Sequence, residues 1–108
     1  MVIQITQENE TRNFWTFKEI GENTESYDIP KEQLASAFLN LERWQKETIA
    51  DNFSSKLFDL MAKADTENFK KLFNGFPARV TAYSLWYWSK DKSELEKYRG
   101  GDGQLNDK

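Results

Sequence analysis

The chain is 108 residues long, carries 15 basic and 18 acidic side chains, and contains neither histidine nor cysteine. Its length predicts one core rather than two, large enough to stand without a metal or a disulfide. The missing residue types exclude thiol nucleophiles, Ser-His-Asp triads, CxxC redox pairs and the usual structural zinc sites.

What remains for chemistry is carboxylate or lysine acid–base work and carboxylate-bound magnesium or calcium. No D-x-[DN]-x-[DN]-G loop occurs, and no carboxylate pair stands out. The expectation is a protein that is not an enzyme and holds no metal or cofactor. No apolar run approaches the roughly 18 residues of a membrane span, and the start MVIQITQENE has neither the basic nor the apolar region of a secretory signal. A cytoplasmic setting without membrane contact follows as an expectation, and the sequons at Asn9 and Asn52 read as chance matches.

In chain order, residues 1–29 admit two readings. In the preferred one, Thr6 is an N-cap, Phe14, Phe17 and Ile20 share a helical face, and Gly21 stops the helix. In the other, Val2, Ile3 and Ile5 begin a strand, Asn13 to Ile20 form a second, and Gly21-Glu22-Asn23 turn the chain into Thr24 to Ile29. From Pro30 the signals agree, since proline is preorganised for a first helical turn. Leu34, Phe38, Leu41 and Gln45 share a face flanked by Ala35, Ala37 and Trp44. A second stripe, Ile49, Phe53, Leu57, Leu60 and Ala64, follows without a proline or glycine. A break near Gln45 to Thr48 is favoured over one helix of about 35 residues, long for so small a domain.

Asp65 is the expected N-cap of a short helix bearing Phe69, Leu72 and Phe73, closed by Asn74-Gly75. Phe76-Pro77 restarts the chain as a helix from Ala78 to about Ser89, its inner face running Val80, Tyr83, Tyr87 with support from Leu95. Trp86 lies to one side of that face, and Trp88 points in a third direction. Asp91 or Ser93 caps a last turn through Leu95 and Tyr98, with Ser93 and Glu96 matching a capping box. The fold expected is mainly α, a compact bundle of four to five short helices forming a single domain over residues 1–99. Its N-terminal 30 residues stay open between a helix and a small β-hairpin. Residues 100–108, Gly-rich and polar, are expected to form a flexible tail.

Two features point toward binding. Tyr83, Trp86, Tyr87 and Trp88 fall within six positions; successive helical residues point about 100° apart, so Trp86, Tyr87 and Trp88 cannot all face one core. Tryptophan and tyrosine are enriched at interface hot spots, which makes Trp86, Tyr87, Trp88, Lys90 and Lys92 the candidate partner-binding residues. The alternative is a helix buried on most of its circumference. Charge is the second feature: residues 1–54 hold 5 basic and 10 acidic side chains, residues 55–108 hold 10 basic and 8 acidic. Lys90, Lys92, Lys97 and Arg99 follow the aromatics, and Lys63, Lys70, Lys71 and Arg79 precede them. Rings beside cations suit single-stranded nucleic acid, although Asp91, Glu94 and Glu96 are interleaved and the acidic pI opposes it. Conversely, Glu8, Glu10, Glu19, Glu22, Glu25, Asp28 and Glu32 could present a negative surface that imitates nucleic acid, or merely solvate it.

The stretch from Asn68 to Trp86, in which a short helix ends at Phe76-Pro77 and the next runs Val80-x-Ala82-Tyr83-x-x-Trp86, resembles small bacteriophage and prophage proteins of uncharacterised role. The resemblance covers about 20 residues and transfers no functional residue. It implies a context in which small phage-encoded proteins bind a host protein and inhibit or redirect it.

Overall fold

In the computed structural model, residues 2–21, 25–46 and 52–99 are described. Strands β1 (Ile5–Glu10), β2 (Phe14–Glu19) and β3 (Tyr27–Pro30) precede helices α1 (Lys31–Lys46), α2 (Phe53–Lys63), α3 (Thr66–Gly75) and α4 (Pro77–Trp88), and a 3₁₀ helix spans Lys92–Arg99. The molecule is compact and mainly α, as expected, with a sheet packed against the helices.

The N-terminal segment is that sheet, which corrects the preferred helical reading. The strands are antiparallel in the order β1-β2-β3, with Ile5 opposite Glu19, Gln7 opposite Phe17, Trp15 opposite Ile29 and Phe17 opposite Tyr27. Thr6 is therefore a strand residue rather than a cap. The period is two: Trp15 and Phe17 are buried, whereas Thr16 between them faces outward and donates to Asp28 Oδ1. A helix would have put Phe14 and Ile20 on its inner face with Phe17. The strand leaves them 40% and 50% exposed and buries Trp15 instead. Thr11 closes the first hairpin, its N–H bonding to Phe14 O and its hydroxyl accepting from Phe14 N. A bulge between Gln7 and Asn9 gives β1 one extra residue. Gly21 turns the chain at φ +151°, a value L side chains rarely adopt. Glu22, Asn23 and Thr24, the rest of the expected turn, lie outside the described residues.

Pro30 ends β3 rather than entering the helix, and α1 buries Leu34, Ala37, Phe38 and Leu41. The break expected after Gln45 is present: α1 ends at Lys46, and α2 starts afresh at Asn52, whose extended backbone and side-chain oxygen, accepting from Ser55 N, make it an N-cap. The face of α2 differs from the expected stripe. Leu57, Phe58 and Met61 are buried, while Phe53 and Leu60 are 61% and 52% exposed and Ile49 lies outside the described residues. Both rows contain Leu57, and packing against α1 and α4 selects the one holding Phe58, which lies against Trp44 and Tyr83.

Asp65 caps α3 as expected, accepting from Asn68 N. That helix runs through Gly75, and Phe76, disfavoured from helical geometry by the following proline, separates it from α4. In α4, Val80 through Ser84 are all buried, because the middle of the helix packs against α1, α3 and β1. The last turn emerges. The 3₁₀ helix then folds back, burying Leu95 and Tyr98. Asp91, not Ser93, caps it: Asp91 Oδ1 accepts from the Ser93 N–H and hydroxyl, which holds the Asp91 carboxyl below its ordinary range. The expected tail, residues 100–108, lies outside the described residues. No helix among the described residues is long and apolar enough to cross a membrane.

Candidate functional site

The aromatic run divides at the end of α4. Trp86 is half-buried, its ring edge-on to Trp44 with centroids 6.4 Å apart, and 5.7 Å from Tyr83. Tyr87, expected on the inner face beside Tyr83, is 51% exposed, and Trp88 is 41% exposed. Their rings meet edge-to-face at 5.3 Å. The last turn of α4 packs through Trp86 against Trp44 of α1 and leaves Tyr87 and Trp88 turned outward. Trp88 Nε1 donates to Val2 O at 3.3 Å, fixing the indole toward the start of the chain.

The two lysines differ. Lys92 closes the helix: its ammonium donates to Trp86 O at 2.5 Å and to Ser89 Oγ at 2.8 Å, and sits 5.1 Å over the Trp86 ring. The Trp86 carbonyl is among the acceptors a helix C-terminus leaves open, and a cation there also suits the helix dipole. Lys90 is exposed and makes no ion pair among the described residues. Of the five residues named from sequence, the structure thus brings Tyr87, Trp88, Lys90 and Lys92 to the surface, with the Lys92 ammonium bonded within the chain, and half-buries Trp86.

Trp88 and Leu85 form one wall of an open cleft of about 470 Å³. Ile5 and Ile20 from the sheet, and Glu94 and Tyr98 from the 3₁₀ helix, form the others. Residue patterns missed these partners, because they come from strands read as a helix and from a turn that folds back onto them after α4; the one local signal was Ile20, an apolar residue left over at a strand end. Tyr98 closes the floor. Its ring stacks on Phe38 at 6.0 Å and meets Trp15 edge-on at 4.9 Å, and its hydroxyl donates to Gln7 Oε1 at 2.7 Å. Burial first, then the charges of Glu10 and Glu94, push its phenol up to about 12.

The other charge groupings do not converge on this cleft. Lys63 and Lys71 border a separate depression of about 490 Å³ between α2 and α3, with Leu60 and Leu72. Arg79 donates to Ser54 Oγ and lies 5.8 Å over the Phe53 ring. The acidic residues are spread over all three strands, the segment before β3 (Glu25) and the first turn of α1, Glu22 lying outside the described residues, and Glu10 is paired with Lys31, which also lies 4.5 Å over Trp15. Among the described residues no group of three carboxylates is placed to hold a metal ion. No protein-family model, no curated protein and no solved structure matches the chain.

Proposed function

We propose that this protein is a small non-enzymatic binding protein that engages a protein partner through the Tyr87–Trp88 surface at the end of α4. The observation that carries the reading is that two adjacent large aromatics stand about half exposed at the end of a helix whose middle, Val80 to Ser84, is buried. Exposed aromatics beside a concave surface are the usual anchors of protein interfaces. The resemblance to small phage proteins supplies the context: the partner belongs to a bacterial host, the encounter takes place in its cytoplasm, and binding inhibits or redirects that partner.

A single-stranded nucleic-acid role draws less support, because the Lys92 ammonium is held by oxygens of Trp86 and Ser89. An acidic mimic draws less still, since Glu10 is neutralised by Lys31.

The test is capture from bacterial lysate on immobilised protein, run in parallel with a Tyr87→Ala, Trp88→Ala double variant. A protein retained by the parent and lost from the variant is the expected result. Equal retention by both, or retention of nucleic acid alone, overturns the reading. Quenching of tryptophan emission by an oligonucleotide at low salt, reversed by added salt, would favour the nucleic-acid role instead.

A further inference from the structure

The 3₁₀ helix is held to the rest of the molecule by side chains. Among the described residues no backbone hydrogen bond ties it to a strand or to α1. Its 8 residues run well past the roughly four at which 3₁₀ helices, whose hydrogen bonds are poorly aligned, usually give out. Only Leu95 and Tyr98 in it are buried. Tyr98 lies over Trp15, Phe17 and Phe38 and donates to Gln7 Oε1, and the half-buried Arg99 pairs with Glu42. At the other end Lys92 bonds to Trp86 O and Ser89 Oγ, so it is moored to the end of α4 and not to the surface that the segment covers.

Open space flanks the segment on both sides. The cleft of about 470 Å³ beside Trp88 lies against one, and a second cavity of about 120 Å³, lined by Phe38, Leu41 and Trp86, lies against the other. Leu95 lines both, which makes the segment the partition between them. Lifting it breaks two apolar anchors and one ion pair rather than a continuous packed seam. The two spaces then become one trough, floored by Trp15, Phe17 and Phe38, walled by Trp86 and open toward Trp88.

We propose that Lys92–Arg99 is a strap, which swings out as one unit about the corner at residues 89–91 while the sheet and α1 to α4 stay folded, and so bares this trough. Sub-global opening of this kind draws on the least secured elements of a fold. The closed strap keeps three large rings from water; the open one adds them to the surface beside Tyr87 and Trp88. This goes beyond the protein-binding reading and does not rest on it.

Native-state hydrogen exchange on the full chain, read amide by amide at rising urea below the unfolding transition, is the test. The amides of Leu95 to Arg99 should be about tenfold or more less protected than those of Phe38, Leu41 and Val80 to Ser84. Their protection should fall with urea along a slope shallower than that of the buried amides but clearly above zero, since the slope scales with the surface exposed. Asp65→Ala supplies a second measurement. It weakens α3, which is folded whether the strap is open or closed, so protection of the buried amides should drop about fivefold while that of Leu95 to Arg99 holds. A strap as protected as the buried amides, a strap slope equal to theirs, or an equal drop in the strap on Asp65→Ala shows one cooperative unit and overturns the proposal. A slope of zero shows fraying that bares no trough, and overturns it as well.

Discussion

Ser84 is fully buried, and among the described residues its hydroxyl has no hydrogen-bond partner. A buried polar group left unsatisfied costs about 1 to 3 kcal/mol, so Ser84→Ala should raise stability by about 1 kcal/mol, read as a higher urea midpoint at unchanged slope. Asp65 is the opposite case. Its carboxylate accepts from Asn68 N at 2.9 Å and satisfies one of the donors that a helix start leaves open. Asp65→Ala should cost about 1 kcal/mol in the same measurement, and Asp65→Asn, which keeps the acceptor, much less. Asn52 performs the same function for α2, accepting from Ser55 N at 2.9 Å. Both are short-range devices in which the side chain and its partner are three residues apart.

At the scale of the element, α4 passes from core to surface within its own length. Tyr83 lies among Phe58, Phe69, Trp44 and Trp86, with ring centroids between 5.7 and 6.3 Å away, and is 4% exposed. Removing it leaves a cavity with no neighbour free to fill it. Tyr83→Ala should cost about 3 to 5 kcal/mol, a large share of the roughly 5 to 15 kcal/mol that holds a domain together. Truncating Trp88, which is 41% exposed, removes its ring contact with Tyr87 and its hydrogen bond to Val2. Trp88→Ala should shift the melting temperature by no more than a few degrees while weakening partner capture; a shift as large as that of Tyr83→Ala would show the last turn to be structural. The sheet is one-sided in the same sense. Ile5, Trp15, Phe17 and Ile29 are buried, whereas Thr6, Asn9, Thr16, Lys18 and Asp28 lie on the other face.

For the molecule as a whole, the 3₁₀ helix is the clasp. Tyr98 reaches Gln7 of β1, Trp15 and Phe17 of β2, and Phe38 of α1, and Arg99 pairs with Glu42 of α1. Its phenol is pushed from 10.0 to about 12 by burial and by Glu10 and Glu94. Tyr27, whose hydroxyl shares a hydrogen bond of 2.8 Å with Thr81, is raised as well, chiefly by burial. A raised phenol favours the folded state wherever the proton is still on it. Below about pH 10 both states keep the proton and stability is level; above it the unfolded chain ionises first, so stability falls as pH climbs to about 12. Tyrosinate absorbance and chemical denaturation followed over that range should show ionisation of Tyr98 delayed in the folded protein and a declining midpoint. A midpoint level to pH 12 would mean that Tyr98 is not held as described.

The sequence by itself determined the features that a residue and its near neighbours settle between them. Asp65 caps, Pro77 restarts the chain, α1 ends where its apolar face ends, and Trp86, Tyr87 and Trp88 do not all share one core. Each follows from a fixed φ, a bond across three residues or a 100° turn. Tertiary structure alone decided the rest. Phe14, Trp15 and Phe17 fitted neither period cleanly, and strand won because a second and a third strand supplied the hydrogen bonds and Tyr98 and Tyr27 supplied the cover. Which stripe of α2 faces inward, which aromatics of α4 emerge, and which residues wall the cleft were settled by contacts such as Val2 with Trp88 and Gln7 with Tyr98. Those pairs are separated by 86 and 91 residues. A local pattern carries no record of a partner that distant, because burial is a property of the surface a residue meets and not of the residue alone.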